Sequence, residues 1–253
     1  MPAALTMPRT LHLAEWIRVS SRIFAMAALL LFCIPFYYLC RLLGQSNPAP
    51  RLFLNGVTAL AGVTVTTRGK CASAPVFLIA NHVSWIDIAA LSKITGCAFV
   101  GHDGLAAMPL LKWLCKMNNT VFVARHDRAS VAGQIEAVRA ATSQMHRLTI
   151  FPEGTTSDGT GLLPFKSSLL SAFEPLPARI SVQPVLLGYG AEAADIAWIG
   201  DEHGLDNFLR ILARRKPVQL AIHFLPPLHG AALDSRKTIA AAARAAVMRE
   251  LTS

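Results

Sequence analysis

Val76-Phe77-Leu78-Ile79-Ala80 is an unbroken apolar run of strand length, and Asn81-His82-Val83-Ser84-Trp85-Ile86-Asp87 follows it directly. A continuous run rich in β-favouring residues fits a strand covered on both faces, which is the habit of parallel sheets. Asn81 and His82 end the run and fall in a loop at the strand's C-terminal end. Ser84 reads as the N-cap of the next helix, with Asp87 at the capping-box distance. His82 and Asp87 would point apart on one continuous helix, where neighbours recur at three or four positions. A loop histidine can instead fold back over the first turn and meet the Asp87 carboxylate with one ring nitrogen. The other nitrogen is then placed to take a proton from a hydroxyl, which is general-base chemistry. Taken alone, the same residues also fit a loop imidazole held by backbone and a plain helix cap.

Strands extend outward from this one. Val63-Thr64-Val65-Thr66-Thr67 alternates, and apolar runs recur at Thr120-Val121-Phe122-Val123, Leu148-Thr149-Ile150-Phe151, Val182 to Leu187 and Val218 to Phe224. Helical patterns lie between them at Ala129 to Met145 and from about Ser235 to Leu251. Strands alternating with helices predict an α/β fold, a mostly parallel sheet flanked by helices. Open sheets of this kind place their sites at the strand C-terminal ends.

The N-terminal part is different. Ile23 to Cys40 is an uncharged and mostly apolar stretch, with Arg18 and Arg22 before it and Arg41 after. It is close to the roughly 20 residues that a spanning helix needs. Pro35 interrupts it, Tyr37 and Tyr38 sit near one end as interfacial aromatics do, and Leu11 to Arg18 has an amphipathic pattern suited to an interface. Residues 1–50 are therefore expected to form a membrane-associated helical segment, spanning or hairpin-like, with a buried core helix as the alternative reading of the run, and 51–253 the folded domain.

Composition agrees. The 253 residues are 53% hydrophobic and 15% charged, with a mean hydropathy of +0.43 and a net charge of +9. That excess of apolar residues exceeds what a soluble core uses, and the positive charge favours an anionic membrane surface. Nucleic acid is not expected as a partner, because the cations are scattered and no aromatic-basic module occurs. Five cysteines without CxxC spacing argue against a disulfide framework and a zinc site, and fit a reducing compartment.

A second block decides among chemistries. Phe151-Pro152-Glu153-Gly154-Thr155 closes a predicted strand about 70 residues after the first, and Pro164-Phe165-Lys166 follows. The Asn-His-x4-Asp and Phe-Pro-Glu-Gly-Thr blocks, in this order and strand context, resemble the signatures of the glycerolipid (lysophosphatidate-type) acyltransferase family. Thr120 to Arg125 resembles the family's strand ending in a substrate-binding arginine, and Val182-Gln183-Pro184-Val185 its late strand with an internal proline. The resemblance covers roughly residues 60 to 190.

It implies one-step acyl transfer, with His82 and Asp87 as the catalytic pair. Asn81, Arg125, Glu153, Gly154, Thr155, Thr156 and Lys166 stand at the substrate-binding positions. It implies a membrane lipid acceptor and the thioester of acyl-CoA or acyl carrier protein as donor, with no cofactor and no metal. It also implies a site on the cytoplasmic face of the cell inner membrane. Backbone N–H groups would stabilise the oxyanion. A serine or thiol hydrolase is disfavoured: GxSxG is absent and no cysteine lies in either block. A membrane-anchored scaffold would explain the charge and apolar N-terminus but not the paired blocks.

The chain departs from the lysophosphatidate pattern at Thr156, where those enzymes carry arginine, and at His102, where they carry lysine. A guanidinium forks onto phosphate and a threonine does not. Phe151 to Gly159, with Trp198-Ile199-Gly200-Asp201, is closer in look to bacterial lyso-ornithine-lipid O-acyltransferases, whose acceptor lacks phosphate. Lyso-ornithine lipid is thus the expected acceptor, and 1-acyl-sn-glycerol-3-phosphate the alternative. Asp201 or Asp158 is expected either to meet the ornithine ammonium or to serve only as a turn residue. The basic run Arg214-Arg215-Lys216, and Arg236, Lys237, Arg244 and Arg249, read as solvated faces or anionic-lipid contacts.

Overall fold

The computed structural model describes residues 11–102, 109–123, 147–177 and 180–253. Strands β1 (Val63–Arg68), β2 (Val76–Ala80), β3 (Ala98–His102), β4 (Val121–Val123), β5 (Arg147–Ile150), β6 (Ser181–Gly188) and β7 (Val218–Phe224) form one sheet in the order β1-β7-β6-β2-β5-β3-β4. Every pairing is parallel except that of β6 with β7. The predicted strands stand within a residue or so of their expected bounds, and β3 is an addition. It is short and ends in Gly101-His102, which hides it in the sequence.

β2 is buried along its whole length, as its unbroken apolar run requires. Its neighbours β5 and β6 run parallel to it, with Ile79 opposite both Ile150 and Pro184. The C-terminal ends of β6, β2 and β5 therefore open on one edge of the sheet. Strand β1 at the edge of the sheet is largely exposed, and its neighbour β7 alternates between buried and less buried positions, as a strand with one wet face does.

The helices are α1 (Leu13–Leu42), α2 (Ala49–Leu60), α3 (Ile86–Thr95), α4 (Pro109–Met117), α5 (Ala193–Ile196), α6 (Gly204–Ala213) and α7 (Arg236–Leu251). The C-terminal helix begins where expected, with the Ser235 hydroxyl accepting from the Thr238 N–H. The helix expected at Ala129 to Met145 lies outside the described residues.

One N-terminal expectation changes. Pro35 does not interrupt the helix: α1, 30 residues long, continues through it to Leu42. Residues 49–60 are helical too. Pro50 lies in the first turn, where a missing N–H costs nothing. Gly56 explains why α2 lies so close to α1, since a Cβ there would sit 2.2 Å from the Leu29 Cδ2. The buried residues of α1 are Val19, Met26, Cys33 and Cys40, a stripe at seven-residue spacing. The opposite face is exposed and apolar, with Phe24, Leu31, Phe32 and Leu42 each more than 60% accessible. The helix is long and apolar enough to cross a membrane, and only 17% of its most apolar window is buried in the protein.

α1 is also held by polar contacts. Arg18 donates to the Ala213 carbonyl at 2.6 Å, and Arg22 to those of Leu212 and Arg214 at 2.8 and 3.1 Å. These carbonyls end α6, where helix C-terminal oxygens lack partners and a cation is favoured.

Candidate active site

Asn81 to Trp85 leave β2 as a loop whose backbone is held on every side. The His82 N–H donates to Glu153 Oε1 at 3.0 Å. The His82 carbonyl accepts from the Ser157 N–H at 2.7 Å and its hydroxyl at 3.1 Å. The Val83 carbonyl accepts from the Trp198 N–H at 3.0 Å. Asp87 Oδ2 then accepts from the Val83 and Ser84 N–H groups at 2.7 and 3.0 Å. The loop cannot tilt without breaking several of these bonds together.

His82 Nδ1 lies 2.9 Å from the same Asp87 Oδ2. A carboxylate only accepts, so Nδ1 is the donor and Nε2 is the nitrogen available to a hydroxyl. Asp87 is fully buried, whereas the His82 side chain is 17% exposed. The imidazole stacks on Phe151, with centroids 4.1 Å apart and planes 15° from parallel. Phe151 in turn stacks on Phe99 of β3. The ring plane is thus fixed by apolar contact and its rotation by Asp87.

The expected capping box forms only in part. The Asp87 carboxylate reaches back to the Ser84 N–H, but the Asp87 N–H bonds the Ser84 carbonyl. The Ser84 hydroxyl finds no partner among the described residues. Helix α3 itself begins at Ile86. The carboxylate serves loop, helix and imidazole at once.

The Phe-Pro-Glu-Gly block follows β5, beside β2. Glu153 is buried, with Oε1 on the His82 N–H and Oε2 on the Leu163 N–H at 3.1 Å. Burial raises its carboxyl above the usual range, and those two N–H groups pull it back. Gly154 turns the chain at φ +71°, where a Cβ would meet Leu169 at 3.2 Å and the Lys166 ammonium at 3.3 Å. Lys166 is exposed and its N–H is bonded to the Pro152 carbonyl. Thr155 is exposed, and the Thr156 hydroxyl donates to the Trp198 carbonyl. Thr156, Asp158, Leu163 and Ile199 are among the residues lining an open groove of about 390 Å3.

Several expected contacts resolve differently. Asn81, read as a substrate contact, spends its amide on the peptide of Leu187, donating at 3.0 Å and accepting at 2.7 Å. Glu153 likewise faces protein N–H groups with both oxygens, so these two residues build the loop rather than reach outward. Asp158 Oδ1 accepts from the Thr160 N–H and hydroxyl, both at 2.9 Å, which is a turn contact that holds its carboxyl below the usual range. Asp201 is exposed in the turn before α6. Arg125 lies outside the described residues, as does the His102 side chain.

The basic runs are largely paired within the protein. Arg214 and Lys216 both bond Glu192, Arg236 pairs with Glu174, and Arg244 donates to the Leu162 and Leu163 carbonyls. The sequence reading missed Ser157, the Trp198 backbone and Tyr189 as supports of the site. The signal for Tyr189 was its place: an aromatic immediately after an apolar strand whose C-terminal end adjoins that of β2.

Residues 62–188 match the family described as Acyltransferase. The chain is 31% identical over 241 residues to the lyso-ornithine lipid O-acyltransferase of Brucella abortus, covering 88% of this chain and 90% of that one. It is 32% identical over 195 residues to the lyso-ornithine lipid O-acyltransferase of Rhodobacter capsulatus, covering 75% and 70%. A 1-acyl-sn-glycerol-3-phosphate acyltransferase of Neisseria gonorrhoeae is 34% identical over 114 residues, 45% of this chain and 44% of that one. The crystal structure of the 1-acyl-sn-glycerophosphate acyltransferase from Thermotoga maritima superposes with a TM-score of 0.68 at 20% identity, over 94% and 95% of the two chains. That likeness establishes the fold. The chain belongs to the acyltransferase family and is an acyltransferase.

Proposed function

We propose that this acyltransferase moves a fatty acyl group from a thioester donor, acyl carrier protein or acyl-CoA, to the free hydroxyl of lyso-ornithine lipid. The observation that carries the chemistry is the bond of 2.9 Å between His82 Nδ1 and the buried Asp87 carboxylate, which leaves Nε2 as base. Nε2 takes the acceptor's hydroxyl proton as the oxygen attacks the thioester carbonyl carbon. The C–S bond then breaks, and the departing thiolate takes the proton back from His82. No acyl-enzyme forms. Lys166 is the cation brought against the Gly154 turn, so a developing negative charge near that turn would meet it.

The acceptor reading rests on Thr156. Its hydroxyl is committed to the Trp198 carbonyl, and the position offers no guanidinium to a phosphate. The lyso-ornithine lipid enzymes among the relatives point the same way. Of the two acidic residues considered for the ornithine ammonium, we favour Asp201, because Asp158 Oδ1 is already engaged in its own turn. Lysophosphatidate is the second reading, favoured by the Neisseria relative and by Lys166.

Residues 1–50 hold the catalytic domain at the membrane through the apolar face of α1, on the cytoplasmic side of the inner membrane, where thioester donors are made. The test is acyl transfer by the detergent-purified protein and its His82→Ala variant, with lyso-ornithine lipid and lysophosphatidate offered in parallel. Product from lyso-ornithine lipid alone, lost in the variant, is expected. Product from lysophosphatidate alone would overturn the acceptor assignment, and activity retained in the variant would overturn the base. Asp201→Asn should weaken turnover of lyso-ornithine lipid; unchanged kinetics would remove Asp201 from the headgroup site.

A further inference from the structure

Asp87 has two oxygens, and the catalytic pair uses one. Oδ2 holds His82 Nδ1 and the Val83 and Ser84 N–H groups. Oδ1 accepts from the hydroxyl of Tyr189 at 2.5 Å. We propose that Tyr189 is a positioning residue for the transfer reaction, fixing the rotation of the Asp87 carboxylate so that Oδ2 stays aimed at His82.

The need for such a residue follows from torsional freedom. The terminal torsion of an aspartate is broad, so its rotamer alone does not set the carboxylate plane. One fixed donor on each oxygen does set it. A phenol suits the task because its position depends on only two side-chain torsions, and here those are locked. Tyr189 is 3% exposed and belongs to the main core cluster with Val83 and Ile86. It directly follows β6, whose end is fastened to the residue after β2 by the two hydrogen bonds between Asn81 and the Leu187 backbone. The ring therefore arrives at Asp87 on a rigid element.

The hydroxyl also answers an energetic problem. A fully buried carboxylate is tolerated only when its lone pairs are used, and among the described residues Tyr189 supplies the hydrogen bond to Oδ1. Burial and the Asp87 charge both push the phenol well above its ordinary titration range. It therefore remains a proton-bearing donor at neutral pH. Its burial keeps it from substrate, so it acts through Asp87 and is not itself a catalytic residue.

This inference rests on His82 being the base, and its test separates the two. Steady-state kinetics of Tyr189→Phe, His82→Ala and the parent enzyme are measured side by side, with melting temperatures. Loss of a hydrogen bond to a charged partner predicts a fall of about tenfold in kcat for Tyr189→Phe, with KM for donor and acceptor within about twofold. A kcat per folded enzyme equal to the parent's, even with a lowered Tm, would overturn the proposal and leave Tyr189 a packing residue. A raised KM at constant kcat would also overturn it. Activity surviving in His82→Ala would remove the base assignment and this inference with it. Should Tyr189→Phe fail to fold, 3-fluorotyrosine at 189 keeps ring and hydroxyl while strengthening the donor. It draws charge from Asp87 and should lower kcat about twofold at constant KM; unchanged kcat would reject the idea.

Discussion

The His82 loop and helix α1 break the ordinary partition of residues in opposite directions. Around His82 the interior is polar: Asn81, Ser84, Asp87, Glu153 and Ser157 are all buried. Along α1 the surface is apolar, with Phe24, Leu31, Phe32 and Leu42 exposed. A buried polar cluster and an exposed apolar face are the two informative departures from a hydrophobic core in a polar shell. The first is stabilised by hydrogen bonds within the protein. The second is an unfavourable surface in water and a favourable one in lipid. On the proposed function, the first departure is where the chemistry is done, and the second faces the lipid that holds the acceptor.

The sharpest way to break this comparison is at the loop. His82→Ala should lower kcat about 10³-fold with KM and Tm little changed, as removal of a general base does; steady-state assays in detergent check it. On the other side, Phe24→Asp combined with Leu31→Asp should reduce partition onto anionic vesicles by about 10²-fold or more, since each large apolar side chain contributes about 1.5–3 kcal/mol when buried. Activity on detergent-dispersed substrate should survive. If both assays fall together, the two regions are not separable as described.

Glu153→Ala should destabilise the fold by about 2 kcal/mol, because the His82 and Leu163 N–H groups lose their acceptor. Urea unfolding measures it. The same carboxyl gives a pH signature. Its folded-state value is raised by burial, so the native state holds the proton longer than the unfolded chain does. Stability therefore falls as pH rises from the ordinary carboxyl range into the raised one. Glu153→Gln lacks that step, seen as a pH-dependent difference in Tm. The smallest effect is expected at Arg22→Ala, where loss of two bonds to the end of α6 should cost about 1 kcal/mol.

The legibility of the sequence followed the same divide. β2 was readable because a strand buried on both faces must be apolar throughout, and the loop after it because two polar residues end the run abruptly. His82 and Asp87 could be paired on paper because a single turn brings them together. Asn81 and Glu153 could not be placed, since their partners are main-chain groups of Leu187, His82 and Leu163, and backbone partners leave no trace in residue identity. Tyr189 is 102 positions from Asp87; only the pairing of β6 with β2 brings them together. α2 was hidden because Pro48, Pro50 and Gly56 imitate a linker, whereas Gly56 is the point of contact with Leu29. Arg18 and Arg22 read as flanks of an apolar run and turned out to grip the end of α6.

That grip has a geometric result. Three guanidinium bonds and the stripe of Val19, Met26, Cys33 and Cys40 join α1 to the catalytic body as one piece. A helix seated this way works as a depth gauge. Whatever level α1 takes in a lipid layer, Nε2 of His82 rides at a set height relative to it. On the proposed function, an acceptor hydroxyl that stands at that height in the lipid layer meets Nε2, and one well above or below it does not.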